Sequence, residues 1–308
     1  MNTAPKKATA YTAILTTFNA QKMVKNAVTS ILDQSVPARE IIIVDDCSTD
    51  GTVRILEDSF SKIANLKIIT NKNNSGQSYS RNIAAQLSSS DLLIFFDDDD
   101  ISHTERAIEH LQMFESGADF SFVSSIKRYP NLYEVLCQNE DRKVAKLDAL
   151  VLLRRLALGQ ATKTVGEVWI PASTSAIDRS FFLSIGGYDS EMRRLEDAEI
   201  VVRAAQIGCY GAWSSKVLVD RTSTHSAMKG GSIEMDYEKK FVLKFQEVLS
   251  KTEVRHALKL IEIRRAYFSK RISRLIFLSF TSPALLVGRQ GKLSVFLKRL
   301  IHDKRQKK

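Results

Sequence analysis

The chain has 308 residues, of which 44% are hydrophobic and 26% are charged, a balance typical of a folded globular protein rather than a disordered one. Its three cysteines are far apart in the sequence, which excludes a disulfide framework and a cysteine-rich zinc site. No apolar run reaches the roughly 18–20 residues that cross a bilayer, and even the longest, residues 275–287, contains a proline. These features predict a cytoplasmic protein that, at most, lies peripherally on the inner face of the cell membrane.

The charge is unevenly distributed along the chain, although the total is +10. From Lys239 to the end there are 19 lysines and arginines against four acidic residues, whereas the first 238 residues carry 26 basic and 31 acidic side chains. A mildly acidic main part followed by a strongly basic end predicts an extension that meets an anionic surface. We expect a membrane rather than nucleic acid, because no recognised nucleic-acid-binding module is present.

Apolar, β-branched runs alternate with segments of helical periodicity in the first part of the chain. The runs predict buried strands at Tyr11–Thr17, Glu40–Val44, Leu66–Thr70, Asp91–Phe96 and Asp119–Ser124. Helices are predicted at residues 24–32, after Gly51 and at Ser78–Leu87. Continuously apolar strands that alternate with helices indicate parallel β-α-β units. The predicted fold class is therefore α/β, with a Rossmann-like, mostly parallel sheet flanked by helices.

The later part of the chain is predicted to be largely helical. Residues 139–166 are expected to form a helix and loops around Leu147–Leu158, and Glu196–Ile207 has the periodicity of a helix. After Gly231 the composition changes, and helices rich in lysine and arginine are predicted from Met235 to Ser279. We therefore expect a main domain at residues 1–230 and a basic helical C-terminal extension at residues 231–308.

Two acidic segments directly follow buried strands, namely Asp45-Asp46 and the run Asp97–Asp100. Open α/β sheets bind ligands beyond the carboxyl ends of their strands, so both segments are expected at one edge. Four adjacent carboxylates repel one another, and a hard divalent cation with oxygen ligands, Mg²⁺ or Mn²⁺, relieves that repulsion. An acidic surface loop or a stabilised helix N-terminus explains the run equally well, and the residues alone leave both interpretations open.

An ordered series of segments resembles the family 2 glycosyltransferases, which have the GT-A fold. The segments are Thr16–Asn19, Ser30–Ser35, Glu40–Thr52, Asn74–Gly76 with Ser80–Asn82, Phe96–Asp100, and Ile185–Asp189 with Leu195–Asp197. The series covers about residues 10–230, and a single Asp-x-Asp would be much weaker evidence than this order and spacing. The resemblance implies a nucleotide-sugar donor half at about 10–125 and an acceptor half at about 126–230.

The resemblance implies an inverting, metal-dependent transfer of a sugar from a nucleotide-diphosphate sugar. The donor is expected to be a UDP-sugar, and the acceptor a hydroxyl of a glycan or lipid-linked glycan in cell-surface polysaccharide or lipopolysaccharide synthesis. Asp46 would accept a hydrogen bond from the donor's base, Thr16 and Phe18 would flank that base, and Arg81 would approach the nucleotide or its phosphates. The implied substrate-binding residues are Thr16, Phe18, Asp46, Arg81, Asp97, Asp98 and Glu196. The implied ligands of Mn²⁺ or Mg²⁺ are Asp97, Asp99, Asp100 and His225.

Asp197 is the candidate general base. An acceptor hydroxyl has a high pKa, so a carboxylate must take its proton as the glycosidic bond forms. In an inverting displacement this carboxylate stands opposite the leaving diphosphate, and it must therefore come from a segment other than the metal run. The alternative is that Glu196 and Asp197 only stabilise the start of a helix, where acidic residues are favoured.

Other functions remain as alternatives. A sugar-nucleotide nucleotidyltransferase would need a glycine-rich phosphate loop after the first strand, and Thr16–Lys22 contains no glycine. A catalytically degenerate homologue that only binds glycan or nucleotide is the non-enzymatic alternative. The basic extension is either a set of solvated helices packed on the main domain or a surface that docks on anionic lipid. The sequence does not indicate an oligomeric state.

Overall fold

The computed structural model describes residues 10–129, 132–136, 142–158, 170–222 and 232–269. Its strands are β1 Tyr11–Thr17, β2 Glu40–Asp45, β3 Leu66–Thr70, β4 Leu92–Asp97, β5 Asp100–Ser102, β6 Phe120–Tyr129, β7 Leu132–Leu136, β8 Arg142–Lys146, β9 Ser175–Asp178 and β10 Tyr210–Thr222. Its helices are α1 Val24–Leu32, α2 Thr52–Phe60, α3 Gln77–Leu87, α4 Arg106–Glu115, α5 Ala149–Leu158, α6 Arg179–Ser184, α7 Glu196–Gln206, α8 Ser232–Lys244 and α9 Lys251–Phe268. A short 3₁₀ turn at Ala172–Thr174 precedes β9.

The strands form one sheet in the order β3-β2-β1-β4-β9-β6-β10-β5, and β7 and β8 pair with β6 and β10. All pairings among β1 to β4 are parallel, as the apolar runs predict. The short strand β9 lies antiparallel to both β4 and β6, and β10 returns parallel to β6. The predicted α/β class is confirmed, and the parallel arrangement is concentrated in the first half of the sheet.

Alternate residues of the central strands enter opposite faces of the sheet, because side chains in a strand have a period of two. On one face Leu15, Ile43 and Ile94 belong to a core built with α1, α2 and α4. On the other face the ring of Phe95 packs against Phe182 and Tyr188, with centroids 5.8 and 5.5 Å apart. Both faces are thus covered, and the carboxyl ends of the strands remain as the edge where polar residues collect.

The chain divides into two compact units, the first made of residues 1–147 and 167–224 and the second of residues 148–166 and 225–308. In the second unit Leu158 of α5 packs with Met235 and Val242 of α8 and with Ile261 of α9. The domain boundary at residue 230 stays a prediction, and α5, which precedes it in the chain, packs with α8 and α9. An apolar stripe alone does not reveal which partner a helix will choose.

The sequence predicts that no segment of the chain crosses a bilayer. Within the described ranges, no helix has both the length and the apolar character needed to cross a bilayer. The apolar stretch at 275–287 and the final basic cluster lie outside the described residues.

Cys47 is held in the left-handed region at φ 67°, immediately after β2 and Asp46. An L-residue pays roughly 1–2 kcal/mol for this conformation, and glycine adopts it freely but loses about 0.5–1 kcal/mol more backbone entropy on folding. Cys47→Gly is therefore expected to raise the free energy of unfolding by up to about 1 kcal/mol. Denaturant unfolding would measure this change. Cys47→Ala is the matched control, because it removes the thiol and keeps the strain; an equal gain from alanine would contradict the explanation.

Candidate active site

The acidic run lies in the tight connection between β4 and β5. Carboxylate oxygens of Asp97, Asp99 and Asp100 all lie within 4.8 Å of one another. Asp98 points elsewhere, and its Oδ2 accepts a hydrogen bond of 3.1 Å from the backbone N–H of Phe18, just beyond β1. The structure thus brings together three of the four predicted metal ligands and separates Asp98 from them.

Burial makes this cluster electrostatically unfavourable in the absence of a cation. Burial, followed by the negative charge of Asp97, raises the pKa of Asp100, although Arg221 opposes the shift. The Oδ2 atom of Asp100 is buried and has no hydrogen-bond partner among the described residues, although it forms an ion pair of 3.5 Å with the Nε of Arg221. Burial likewise raises the pKa of Asp98 to about 7. Three converging carboxylates, one of them largely buried, fit the hard, oxygen-liganded cations Mg²⁺ and Mn²⁺.

His225, the fourth predicted metal ligand, lies outside the described residues. The chain leading to it is tied to the acidic run, since the N–H of Thr222 donates a 3.2 Å hydrogen bond to Oδ1 of Asp100. A metal-binding role for His225 stays a prediction.

Asp46 directly follows β2 and is buried, as expected for a residue at a strand end. Its Oδ1 accepts hydrogen bonds of 2.9 Å from Asn71 Nδ2 and from the N–H of Ser75, and its Oδ2 accepts one of 2.7 Å from the N–H of Gly76. The carboxylate therefore anchors the loop that leads into α3. Recognition of a nucleotide base by Asp46 stays a prediction.

The residues predicted to flank the base sit at the end of β1, next to Asp46. Thr16 is buried within the strand, whereas Phe18 beyond it exposes 46% of its surface. The N–H of Asp46 donates to the carbonyl of Thr17, which fixes the two strand ends side by side. An exposed aromatic ring beside a polar strand end can stack on a base or a sugar ring.

Arg81 of α3 is buried between the two acidic halves of the site. Its NH2 group donates 2.8 Å hydrogen bonds to Asp97 Oδ1 and to Gln77 Oε1, and its NH1 group donates one of 3.3 Å to Glu196 Oε1. The guanidinium also lies 5.4 Å from the centroid of the Tyr188 ring. Arg81 thus joins the three-carboxylate cluster to the start of α7, and its predicted approach to the nucleotide stays a prediction.

The candidate base Asp197 lies in the first turn of α7, beside Glu196. Burial, followed by the charge of Glu196, raises the pKa of Asp197 to about 7, while Arg81 and Arg221 oppose the shift. A carboxylate with a pKa near neutrality is well matched to proton transfer at physiological pH. The preceding residue, Leu195, is held at φ 62°, and backbone strain of this kind is often found at functional sites.

Three further residues, to which the sequence analysis assigns no role, hold the segment before α7 in place. Asn82 of α3 forms a pair of 2.8 Å hydrogen bonds with the backbone N–H and C=O of Tyr188. Arg203 of α7 donates to the carbonyls of Ile185 and Gly187 and forms an ion pair with Glu199. The i, i+4 spacing of Glu199 and Arg203 is visible in the sequence, but their carbonyl partners are not.

Gly187 shows how closely this segment approaches α3. Its φ is 68°, and a Cβ built on it would lie 2.4 Å from Oδ1 of Asn82. Only glycine fits here, which gives a physical reason for a glycine at this position of the segment Ile185–Asp189.

Comparison with known proteins gives a family and two relatives. Residues 12–143 match the family model described as glycosyl transferase family 2. An uncharacterized glycosyltransferase of Haemophilus influenzae is 30% identical over 194 residues, which are 63% of this chain and 61% of that protein. The Escherichia coli UDP-Glc:alpha-D-GlcNAc-diphosphoundecaprenol beta-1,3-glucosyltransferase WfgD is 34% identical over 89 residues, 29% of this chain and 34% of that protein. The chain therefore covers less than two thirds of the length of these curated relatives.

Among solved structures, Staphylococcus aureus TarS 1–349 in complex with UDP-GlcNAc superposes with a TM-score of 0.62 at 18% identity. The superposition covers 84% of this chain and 73% of that one. At this identity the likeness concerns the fold, and it confirms the predicted GT-A architecture.

Asp197→Asn is expected to stabilise the cation-free protein more at pH 8 than at pH 5. The folded-state pKa of about 7 lies above the value of about 3.9 for an exposed aspartate. The folded state consequently binds the proton more tightly, and stability falls as pH rises from about 4 through 7. Asparagine does not ionise and avoids this loss. Thermal unfolding at the two pH values in the presence of a chelator would measure it.

The control for this experiment is Asp58→Asn, since Asp58 is exposed on α2. Its effect on the unfolding midpoint should be the same at both pH values. If Asp197→Asn behaved like this control, burial of an ionised Asp197 would not limit stability at neutral pH.

Proposed function

Because the chain belongs to glycosyl transferase family 2, we propose that it transfers a sugar from a nucleoside-diphosphate sugar to a hydroxyl group of a glycan acceptor. The observation that carries the proposal is the pairing of a cation-compatible cluster, Asp97, Asp99 and Asp100, with a separate carboxylate of raised pKa, Asp197. Arg81 pairs with Asp97 and with Glu196, the neighbour of Asp197, which supports a single site. A direct displacement at the anomeric carbon needs both a half that binds the donor and a half that carries the general base.

The donor side would hold the nucleotide and a divalent cation. Asp97, Asp99 and Asp100 would be its ligands, together with His225 as the resemblance implies. When bound, Mn²⁺ or Mg²⁺ supplies positive charge that stabilises the departing diphosphate. The exposed ring of Phe18, beside Thr16 and Asp46, offers a surface on which the nucleotide base would stack. Asp98 accepts a hydrogen bond from the backbone N–H of Phe18 and so keeps that residue in position. The TarS complex supports a UDP carrier, since it holds UDP-GlcNAc.

The acceptor side would supply the base. Asp197 would remove the proton from the acceptor hydroxyl as that oxygen attacks the anomeric carbon, and the nucleoside diphosphate would leave from the opposite face. The configuration at the anomeric carbon would be inverted, and no covalent intermediate would form. A base with a pKa near 7 is deprotonated in a large fraction of molecules at neutral pH and still accepts a proton effectively.

The acceptor would be a growing cell-surface glycan, either a polysaccharide or a lipopolysaccharide. The name of WfgD, which includes both a UDP-glucose donor and a diphosphoundecaprenol-linked sugar, supports this class of acceptor. A lipid-linked acceptor would also give the basic extension at 231–308 a purpose, since lysine and arginine attract anionic lipid by about 1 kcal/mol each near the surface. The protein would then work at the inner face of the membrane without spanning it.

UDP is expected to raise the unfolding temperature in the presence of Mn²⁺. At about 100 times its Kd, a ligand of the folded state stabilises a protein by about 2.7 kcal/mol. Asp99→Asn should abolish the shift because the cation cluster loses a ligand, and Asp58→Asn should preserve it. Scanning fluorimetry with UDP, GDP and dTDP would make the measurement. If none of the nucleotides shifts the wild-type protein in the presence of metal, the donor site does not exist.

Asp197→Asn is expected to lower kcat by roughly 100- to 10,000-fold, the range lost when a general base is removed. Binding of UDP with Mn²⁺ should be retained, because Asp197 lies on the acceptor side. Release of UDP from UDP-sugars in the presence of acceptor would give kcat, and calorimetry would give the Kd. Glu191→Gln in the exposed loop before α7 is the control. Unchanged turnover in Asp197→Asn would exclude Asp197 as the base.

A further inference from the structure

We propose that Arg81 is a positioning residue, which fixes the base-bearing start of α7 relative to the donor-side carboxylates and does not itself bind the nucleotide. This inference rests on the proposed function, because it assigns a role within the same site. It also departs from the expectation raised by the sequence, in which Arg81 approaches the phosphates.

The burial of Arg81 is the first argument. Its side chain exposes only 2% of its surface, and its partners Asp97 and Glu196 lie 16 and 115 positions along the chain. The Nε–H is also sealed from solvent and has no acceptor among the described residues. A phosphate could reach this guanidinium only if the side chains that bury it moved, and two of these, Asp97 and Glu196, are its ion-pair partners. Breaking a buried pair costs about 3–5 kcal/mol, and this cost disfavours a nucleotide contact.

The common frame provided by α3 is the second argument. One face of this helix contacts the acceptor-side segment at three points with i, i+3, i+4 spacing. Ser78 donates to the carbonyl of Met192, Arg81 to Glu196, and Asn82 pairs with the backbone of Tyr188. Arg81 is the member of this set that also reaches the donor side. Without it, α3 would still touch the acceptor segment but would lose its ion pair with Asp97 of β4.

The N-terminal end of α3 is fixed to the donor side as well. Gly76, the residue before the helix, donates from its N–H to Asp46, and Ser80 lies 3.4 Å from the same carboxylate. The helix therefore fixes three parts of the site relative to one another. They are the region predicted to hold the nucleotide base, the three-carboxylate cluster, and Asp197 at the start of α7. In a displacement, the general base must hold the acceptor hydroxyl at a narrowly defined distance from the anomeric carbon. A misplacement of about 1 Å can reduce the rate about 100-fold.

Competition for Asp97 gives a distinguishing expectation. Oδ1 of Asp97 accepts from Arg81, and Asp97 also belongs to the three-carboxylate cluster. If Arg81 were replaced, Asp97 would be freed from its ion pair and would remain available to a cation. Positioning therefore predicts that donor and Mn²⁺ binding survive while turnover is lost, whereas a direct nucleotide contact predicts weaker donor binding.

The experiment compares Arg81→Lys and Arg81→Met with the wild-type protein. Lysine keeps the charge but cannot span both carboxylates, and methionine removes the charge. We expect kcat to fall by roughly 100-fold, less in the lysine variant, with the Kd for UDP and Mn²⁺ by calorimetry changing by less than about threefold. Arg54→Met, which removes an exposed arginine of α2, is the charge-matched control. A rise of tenfold or more in Kd, or an unchanged kcat, would overturn the proposal.

Hydrogen exchange followed by mass spectrometry provides a readout independent of turnover. In Arg81→Lys, amides of residues 188–199 should exchange faster than in the wild-type protein, and amides of α2 should not change. If the wild-type protein neither bound a nucleotide nor turned over a donor, the proposed function would fail, yet this exchange pattern would still test the positioning role. Unchanged protection of residues 188–199 in both variants would overturn the positioning role. If Arg81→Met failed to fold, Arg81→Lys would still provide the measurement.

Discussion

The organisation of the site depends on one buried guanidinium. A charge that leaves water must be paired and hydrogen-bonded, or it destabilises the fold severely. Arg81 meets this requirement with Asp97 from β4 and Glu196 from α7, so the charge can be buried only when those two elements are correctly placed. The same requirement couples folding to the geometry of the site. The donor-side and acceptor-side segments share Arg81 as a partner, and breaking either of its ion pairs would destabilise the fold.

Several residues around this link are in energetically unfavourable states. Asp98 and Asp100 are carboxyls whose pKa values are raised by burial, and Cys47 and Leu195 are held in a backbone conformation that favours glycine. These features lie at the strand ends or at the start of α7. Backbone strain and raised pKa values concentrate in one region, while the sheet below is regular and apolar, and such a concentration is typical of functional sites.

Much of the fold could be predicted from the sequence because its signals are local. The apolar runs gave β1 to β4, and adjacency along the chain was enough to predict that Asp97, Asp99 and Asp100 converge. The role of Arg81 could not be predicted, since burial depends on segments more than a hundred residues away. The antiparallel insertion of β9, the pairing of Asn82 with Tyr188 and the choice of partners by α5 escape sequence analysis for the same reason.

The position of β9 has a consequence for the order in which the chain can fold. This strand, residues 175–178, lies between β4 and β6, which occur much earlier in the sequence. During synthesis, β1 to β4 can assemble from nearby segments, but the free edge of β4 must wait for a strand made some eighty residues later. Pairing over such a separation is slow, and an uncovered edge invites association with other chains. The sheet is thus most vulnerable to aggregation after its first half has formed and before β9 fills the gap.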